Sequence, residues 1–302
     1  MTLISIVIPH RDQPEALEAC LSSLDAQSLA RSFFEIIVVD NGSVCLPDDI
    51  VTRHPGTRLL QELQPGPGPA RNLGARNATG AILAFIDADC RAHPDWLRNA
   101  KQTLCSSPER TILGGDVRIW RDNTDSSTAI EAYESVFGYR FKVYIEQHGF
   151  CGTGNLLVRR ADFERIGPFA GIKFAEDVEW GQRARDAGFA FHYVPEMIVF
   201  HPARRSMGEL YAKWDRHIQH FLNMARGKPG WKLRWIVRAL AVLGSPIVDT
   251  AKILSSDRIQ GASTRLKAIL VLFAIRIHRA RKMLSLLGAN KTVAWNHQHT
   301  AA

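Results

Sequence analysis

AILAFIDADCRAHPDW, Ala81 to Trp96, is the stretch on which the reading of the whole chain turns. Ala81 to Ile86 carry only aliphatic and aromatic side chains, the composition of a strand covered on both faces. The run ends on Asp87, Ala88 and Asp89, and Pro94 then opens PDWLRNAKQTL, which is expected to be a helix. A fully buried carboxylate pair is costly, and one member would take up a proton. At a strand end facing a cleft, the same pair offers oxygen ligands to a hard divalent cation, Mg2+ or Mn2+, of the kind that keeps waters and binds substrate phosphates. A purely local role is also open, with Asp87 capping the turn and Asp89 the following helix.

Working toward the N-terminus, ISIVIP is a short β-branched run stopped by Pro9. PEALEACLSSLDAQ places Ala16, Leu17, Cys20, Leu21 and Leu24 at helical spacing. FFEIIVVD is a second buried strand ended by NGS, and TRLLQEL a weaker third. PARNLGARNATG follows as a helix closed by Gly80. This alternation of strand and helix predicts an α/β fold with a doubly wound, mostly parallel sheet. Ligands bind beyond the carboxyl ends of such strands. Three strands deliver polar residues there: His10 to Asp12, Asp40 to Ser43 and Asp87 to Asp89. Residues 110–201 are less regular, with strands expected at TILGGDVRIW, GNLLVRR and FAFHYVP and helices at ADFERIG and EDVEWGQRARDAG.

The 302 residues suffice for one large domain with an appendage or for two domains, and a hydrophobic fraction of 46% argues against disorder. Five scattered cysteines without a CxxC pair point to free thiols in a reducing compartment. The N-terminal apolar stretch is short and lacks a preceding basic region, so no signal peptide is expected. No run of eighteen apolar residues occurs, so no spanning helix is expected either. Charge is unevenly placed. Residues 1–201 hold 20 Lys+Arg against 26 Asp+Glu, a net −6, whereas 202–302 hold 18 against 4, a net +14. A boundary is therefore expected near residue 202, giving a domain over 1–201 and a basic helical region over 202–302.

SIVIPHRD (5–12), EIIVVDNGS (35–43), GPARNLGARNATG (68–80), AFIDADC (84–90), GTGNLLVRRADFERIGPF (152–169) and EDVEWGQRARDAG (176–188) resemble, in that order and spacing, the family 2 glycosyltransferases with the glycosyltransferase A fold. The resemblance covers about residues 1–201. It implies a nucleotide-sugar-binding catalytic domain and an inverting, metal-dependent hexosyltransferase. Asp40 then looks like the residue that bonds the nucleotide base, and Pro9, Arg11 and Asp12 match the first nucleotide loop. Arg71 looks like a base or phosphate contact. Asp87 would hold the ribose and assist the metal, and Asp89 would bind the metal directly. Asp177 resembles the catalytic base, with Glu176 beside it. Gly152, Thr153, Gly154, Asn155 and Trp180 would line the acceptor side. A late histidine, here His201, serves as a further metal ligand in some members of this fold.

Those roles suit the chemistry. Breaking a sugar–diphosphate bond loads negative charge onto the leaving phosphate, which a cation stabilises. The acceptor hydroxyl must lose its proton as it attacks, and a carboxylate across the sugar can take it. Asp177 could instead be only a helix N-terminal carboxylate favoured by the macrodipole.

The chain departs from the family pattern at Arg11 and Asp12, where an aromatic residue and asparagine are usual. A guanidinium can stack on a base, so nucleotide binding survives with UDP as the expected base. Only the RW half of the processive QxxRW box is present, at WKLRW (231–235), so transfer of a single sugar is expected. A nucleotidyltransferase, which would want a glycine-rich basic loop after the first strand, and a non-catalytic sugar-nucleotide-binding module are the rival readings. The absence of GxxxxGK argues against P-loop chemistry, and no Cys/His cluster suggests zinc. Residues 203–291 interleave cations with apolar runs, as in WKLRWIVRALAVL and RLKAILVLFAIRIHRARKML. That pattern suits helices lying on anionic lipid, and equally helices that pack on the catalytic domain or form a homodimer. No nucleic-acid-reading motif accompanies the charge. A membrane-bound enzyme would suit a saccharide or lipid-linked acceptor in bacterial envelope, exopolysaccharide or glycolipid assembly, placing it in the cytoplasm or peripherally on the inner membrane.

Overall fold

Strands β1 (Ile4–His10), β2 (Phe34–Asp40), β3 (Thr57–Gln61) and β4 (Ile82–Phe85) are the parallel half of an eight-stranded sheet. The computed structural model describes residues 4–121, 126–171 and 175–288. The sheet continues through β5 (Arg91–Ala92), β6 (Thr111–Trp120), β7 (Leu156–Arg159) and β8 (Ala190–Pro202), in the order β3-β2-β1-β4-β7-β6-β8-β5. Beyond β4 the sheet turns antiparallel, at the pairs β4–β7, β7–β6 and β8–β5. Within the parallel half, α1 (Pro14–Asp25), α2 (Asp48–Thr52) and α3 (Pro67–Arg76) make the crossovers, and α4 (Trp96–Ser106) follows β5.

Register is what positions the site. The pair His10–Asp40 closes β1 against β2, so two of the polar strand ends meet. Pro9 is tolerated inside this buried strand because β4 stops opposite Val7, leaving no ladder partner on that side. The two-residue strand β5 pairs Arg91 with Phe200 and Ala92 with Val199, which draws the end of the Asp87–Asp89 segment alongside the end of β8. The core beneath is aliphatic: Ile4, Ile6, Ile8, Ile36, Val38 and Ala84 from the strands, with Leu17, Leu21 and Leu24 of α1 and Trp96 of α4.

Two boundaries differ from the periodicity. Helix α3 ends at Arg76, with Asn77 closing it by donating from Nδ2 to the Leu73 carbonyl, and not at Gly80. Gly80 answers to packing instead: a Cβ there would lie 2.8 Å from the Ser5 amide nitrogen. Helix α4 begins at Trp96, with Asp95 before it, so Asp89 caps nothing.

Among the described residues, those of 4–118 and 140–201 form one compact unit, and those of 119–139 and 202–288 form the other. The first unit also holds α6 (Phe141–Val143), α7 (Arg160–Ile166) and α8 (Glu176–Asp186). The second holds α5 (Ala129–Phe137), α9 (Met207–Ala225), α10 (Trp231–Gly244), α11 (Pro246–Leu254) and α12 (Ala262–Ser285). Residues 119–139, left with the N-terminal part on charge alone, thus pack in the helical unit. The signal that finds α5 is a capping box: Thr128 Oγ1 accepts from the Glu131 amide, and the Glu131 carboxylate accepts from the Thr128 amide. Tyr133 of α5, Leu210 of α9, Ile253 of α11 and Leu272 of α12 share one apolar core, and Leu222, Trp235 and Met283 share another. No helix among the described residues is long and apolar enough to cross a membrane.

Candidate active site

The acidic pair after β4 is split between two partners. Asp87 Oδ1 accepts from the Arg71 guanidinium at 2.6 Å, and Asp89 Oδ2 lies 3.2 Å from His201 Nε2. Arg71 sits on α3, which lies so close to the sheet that a Cβ on Gly74 would overlap Val7 at 2.3 Å. The guanidinium is buried and also donates to Glu176 Oε1 at 3.1 Å. One cation therefore joins the strand-end carboxylate to the first residue of α8. Burial works against the charge of Arg71, but Asp87 and Glu176 outweigh it and hold the guanidinium more firmly protonated than usual. Its Nε has no hydrogen-bond partner among the described residues.

Asp177 follows Glu176 but receives no comparable share of the arginine. Its Oδ1 accepts from the Val178 amide at 2.8 Å. Burial and the neighbouring Glu176 charge push its pKa up to about 6, with Arg71 only partly opposing them. Tyr144 and Cys151 feel the Asp177 charge in turn, and burial foremost lifts both their pKa values. At neutral pH Asp177 is a largely ionised carboxylate with raised proton affinity, which suits a group that accepts a proton during reaction.

The Asp89 end is different. Burial raises the proton affinity of Asp89, yet the His201 hydrogen bond and charge more than compensate and leave its pKa below the usual carboxylate range. Asp89, Cys90 and His201 present ligand atoms that all lie within 4.8 Å of one another. Burial keeps the Cys90 thiol protonated, its pKa raised well above the ordinary value. The usable donors are thus a carboxylate oxygen and an imidazole nitrogen, a set that fits Mn2+ or Mg2+ completed by phosphate and water better than a thiolate-bound zinc.

The glycine stretch at 152–155 abuts this end of the site. A Cβ on Gly154 would come within 2.8 Å of Asp87 Oδ2, and one on Gly152 would meet the Phe141 ring at 2.7 Å. Thr153 is buried beside them. Asn155 does other work: it donates to the Asp116 and Met197 carbonyls and accepts from Trp96 Nε1, which uses both amide hydrogens on the scaffold. Trp180 also lies away from any acceptor surface. It is buried among Phe163, Phe169 and Phe191, and its Nε1 donates to the Gly167 carbonyl. The expected acceptor roles of Asn155 and Trp180 therefore give way to structural ones, because their polar atoms are spent and their rings or amides enclosed.

The first two strand ends form one clasp. Asp40 Oδ1 accepts from His10 Nδ1 at 3.1 Å and from Ser43 Oγ, while its Oδ2 accepts from the Gly42 and Ser43 amides. Because His10 Nε2 accepts from the Gln13 amide at 3.3 Å, the hydrogen-bond network puts the ring proton on Nδ1. Asp12 completes the clasp: its amide donates to Ser43 Oγ at 2.9 Å and its Oδ1 accepts from the Val44 amide at 2.8 Å. Its φ of 50° is in the left-handed region, which aspartate tolerates better than most residues. Arg11 Nε stands 3.5 Å from Asp12 Oδ2. His10 was recognisable only as a polar strand end; its pairing with Asp40 follows from the β1–β2 register.

A family model described as Glycosyl transferase family 2 matches residues 5–167. Glycosyltransferase AglE of Haloferax volcanii is 34% identical over 222 residues, which span 72% of this chain and 72% of that protein. The pre-mycofactocin glycosyltransferase of Mycobacterium tuberculosis is 24% identical over 70% of this chain, and there the match spans 45% of the relative. Among solved structures, mannosyltransferase PcManGT from Pyrobaculum calidifontis, in complex with GDP-Man and Mn2+, gives a TM-score of 0.62 at 18% identity, covering 95% of this chain and 87% of that one. S. aureus TarS 1-349 in complex with UDP-GlcNAc gives 0.55 at 16% identity, covering 94% and 92%. At such identities the likeness to solved structures is one of fold.

Proposed function

The chain belongs to glycosyl transferase family 2, has the glycosyltransferase A fold and is a glycosyltransferase; on that premise we propose that it transfers one sugar, with inversion and with help from Mn2+ or Mg2+, from a nucleoside diphosphate donor to an acceptor hydroxyl. The observation that carries this reading is the sharing of Arg71 between Asp87 and Glu176, with Asp89 and His201 paired at one end and Asp177 standing next to Glu176 at the other.

In this reading Asp89 and His201, assisted by Asp87, hold the cation, which when bound offsets the charge that develops on the departing diphosphate. Asp177 takes the proton from the acceptor hydroxyl as that oxygen attacks. Arg71 is engaged by Glu176 and Asp87, which leaves Asp177, whose proton affinity burial and the Glu176 charge raise, to take up the proton. The clasp of His10, Asp12, Asp40 and Ser43 shapes the loop that receives the base, with Arg11 available to stack on it. Because the Asp40 carboxylate oxygens are engaged within the clasp and its carbonyl accepts from the Glu62 amide, base contact there falls to Arg11. Gly152, Thr153 and Gly154 are assigned to the acceptor side, and the missing Cβ of Gly154 lets that loop lie close to Asp87. The donor is expected to be a UDP-sugar. The structures similar in fold bind GDP-Man in one case and UDP-GlcNAc in another, so both bases belong in the test. The acceptor is expected to be a saccharide or a lipid-linked sugar of envelope polysaccharide or glycolipid assembly, handled on the cytoplasmic side.

A donor panel tests the reading. Mass-spectrometric release of UDP or GDP from UDP- and GDP-sugars is expected in Mn2+ and not in EDTA. Turnover undiminished by EDTA would remove the metal from the mechanism, and binding of a donor without any turnover on any acceptor would favour a sugar-nucleotide-binding module.

A further inference from the structure

The helices of the second unit leave apolar rows facing outward. On α12, Leu266, Leu270, Phe273 and Ile277 are exposed, at the spacing of a single helical face, while Leu272, Ile275 and Met283 supply the buried side. On α10, Leu233, Val237 and Leu240 form an equivalent row opposite the buried Trp235 and Ala239. On α11, Ile247 and Val248 are 82% and 69% exposed. Both α10 and α11 pack against α12, and Arg276 of α12 bonds Asp249 of α11 at 2.7 Å. Rows this regular and this exposed are uncommon on a surface that meets only water.

Charge identifies what covers them. Neither α10 nor α12 contains a carboxylate, and Asp249 of α11 is buried and engaged by Lys252 and Arg276. Lys232, Arg234 and Arg238 are exposed on α10, Lys252 on α11 and Arg281 on α12. Two carboxylates elsewhere in the unit are also paired: Glu134 is shared by Arg204 and Lys213, and Asp215 by His278 and Lys282. The carboxylate of the three helices is thus consumed by pairing, while Lys232, Arg234, Arg238 and Arg281 are exposed on α10 and α12. A two-fold self-association through these helices would set Lys232 and Arg234 of each copy against like charge, with no carboxylate on α10 or α12 to relieve it. A surface combining large apolar side chains with cations, and lacking acids, is complementary to anionic lipid.

We infer that the outward rows of α10, α11 and α12 are a seat for an anionic membrane surface, with Leu233, Val237, Leu270 and Phe273 entering the acyl boundary and Lys232 and Arg234 meeting the headgroups. The helices lie along the interface and do not cross it. The inference rests on the second unit alone and does not depend on the donor or the metal assigned to the first.

Flotation of the full chain with phosphatidylglycerol-containing vesicles, against phosphatidylcholine vesicles, is the test. Binding is expected only to the anionic vesicles, weakening as salt is raised. Lys232→Glu with Arg234→Glu is expected to lower the vesicle partition coefficient about fivefold for each cation removed. Leu270→Asn with Phe273→Asn is expected to abolish retention at high salt. Circular dichroism and the melting temperature show that both variants are folded, and nucleotide release from the soluble donor is expected to be unchanged in them. Failure of the wild-type chain to float with anionic vesicles at low salt overturns the inference, and so does equal binding to neutral vesicles. A stable dimer by light scattering that the Leu270→Asn/Phe273→Asn variant dissolves would overturn it in favour of self-association. Loss of donor turnover with flotation intact would count against the catalytic reading and leave this one standing.

Discussion

Two acidic pairs serve the site, one at the end of β4 and one at the start of α8, and they part company over who holds a cation. Asp87 has Arg71 and Asp89 has His201. At the other pair Glu176 takes the second arm of Arg71, and Asp177 is left with one backbone amide and an adjacent negative charge. The consequence is a spread of proton affinity among chemically near-identical groups, with Asp89 below the usual range and Asp177 near 6. Such separation suits the proposed roles: a group of lowered pKa can face a cation as an anion, and one of raised pKa can exchange a proton near neutrality.

Breaking the member proposed to accept the proton is expected to have the largest effect. Asp177→Asn should lower kcat roughly 10²- to 10⁴-fold while donor affinity, measured by calorimetry, stays close to wild type. Retained kcat would transfer the base role elsewhere. Removing the shared cation comes next. Arg71→Met leaves Asp87 and Glu176 without their buried partner and should cost about 3–5 kcal/mol in denaturant unfolding. A loss below 1 kcal/mol would mean that solvent already screens the bridge. Third, His201→Ala should weaken Mn2+ activation roughly 10- to 100-fold. An unchanged activation curve would confine His201 to its hydrogen bond with Asp89.

Two smaller effects sharpen the contrast. The folded-state pKa of Asp177 lies above its ordinary 3.8, so the native state binds the proton more tightly. For this group, stability falls as pH rises from about 4 to about 6, and the full cost persists above that. Asp177→Asn removes the cost and should therefore stabilise the fold by about 1–2 kcal/mol at pH 8, with no gain at pH 4, as read from paired melts. Activity is expected to run the other way, with an acidic limb near pH 6 as Asp177 becomes protonated. Glu176→Gln takes away the neighbouring charge and should move that limb to lower pH. A limb that stays in place would show that burial alone sets the Asp177 pKa.

The parallel half of the sheet was legible because β1, β2 and β4 carry apolar runs with no competing helical period, as in Ile36–Val39 and Ile82–Phe85, although β3 is only weakly apolar. The helix α5 was not found within 119–150, although its Thr128–Glu131 box was in plain view, because attention to charge placed the break at residue 202 alone. The site was legible as a set of residue types at strand ends. Its internal pairing was not: nothing in the spacing of Arg71, Asp87 and Glu176 says that one guanidinium serves both carboxylates. Trp180 and Asn155 show the reverse error, since proximity in sequence to functional motifs does not reveal that a side chain is enclosed.

Sequence by itself determined the α/β class and the parallel half of the sheet, the carboxyl-end location of the polar residues and the positive excess beyond residue 202, because these depend on hydrophobic period and composition, which are local or additive. The mostly parallel sheet it implied is in fact mixed, antiparallel beyond β4 where distant strands pair. Tertiary structure alone decided which carboxylate receives Arg71, that the short β5–β8 ladder draws Asp89 to His201, and which apolar faces of α10 and α12 remain open. Those outcomes depend on strand register and helix rotation, and burial by distant residues fixes both.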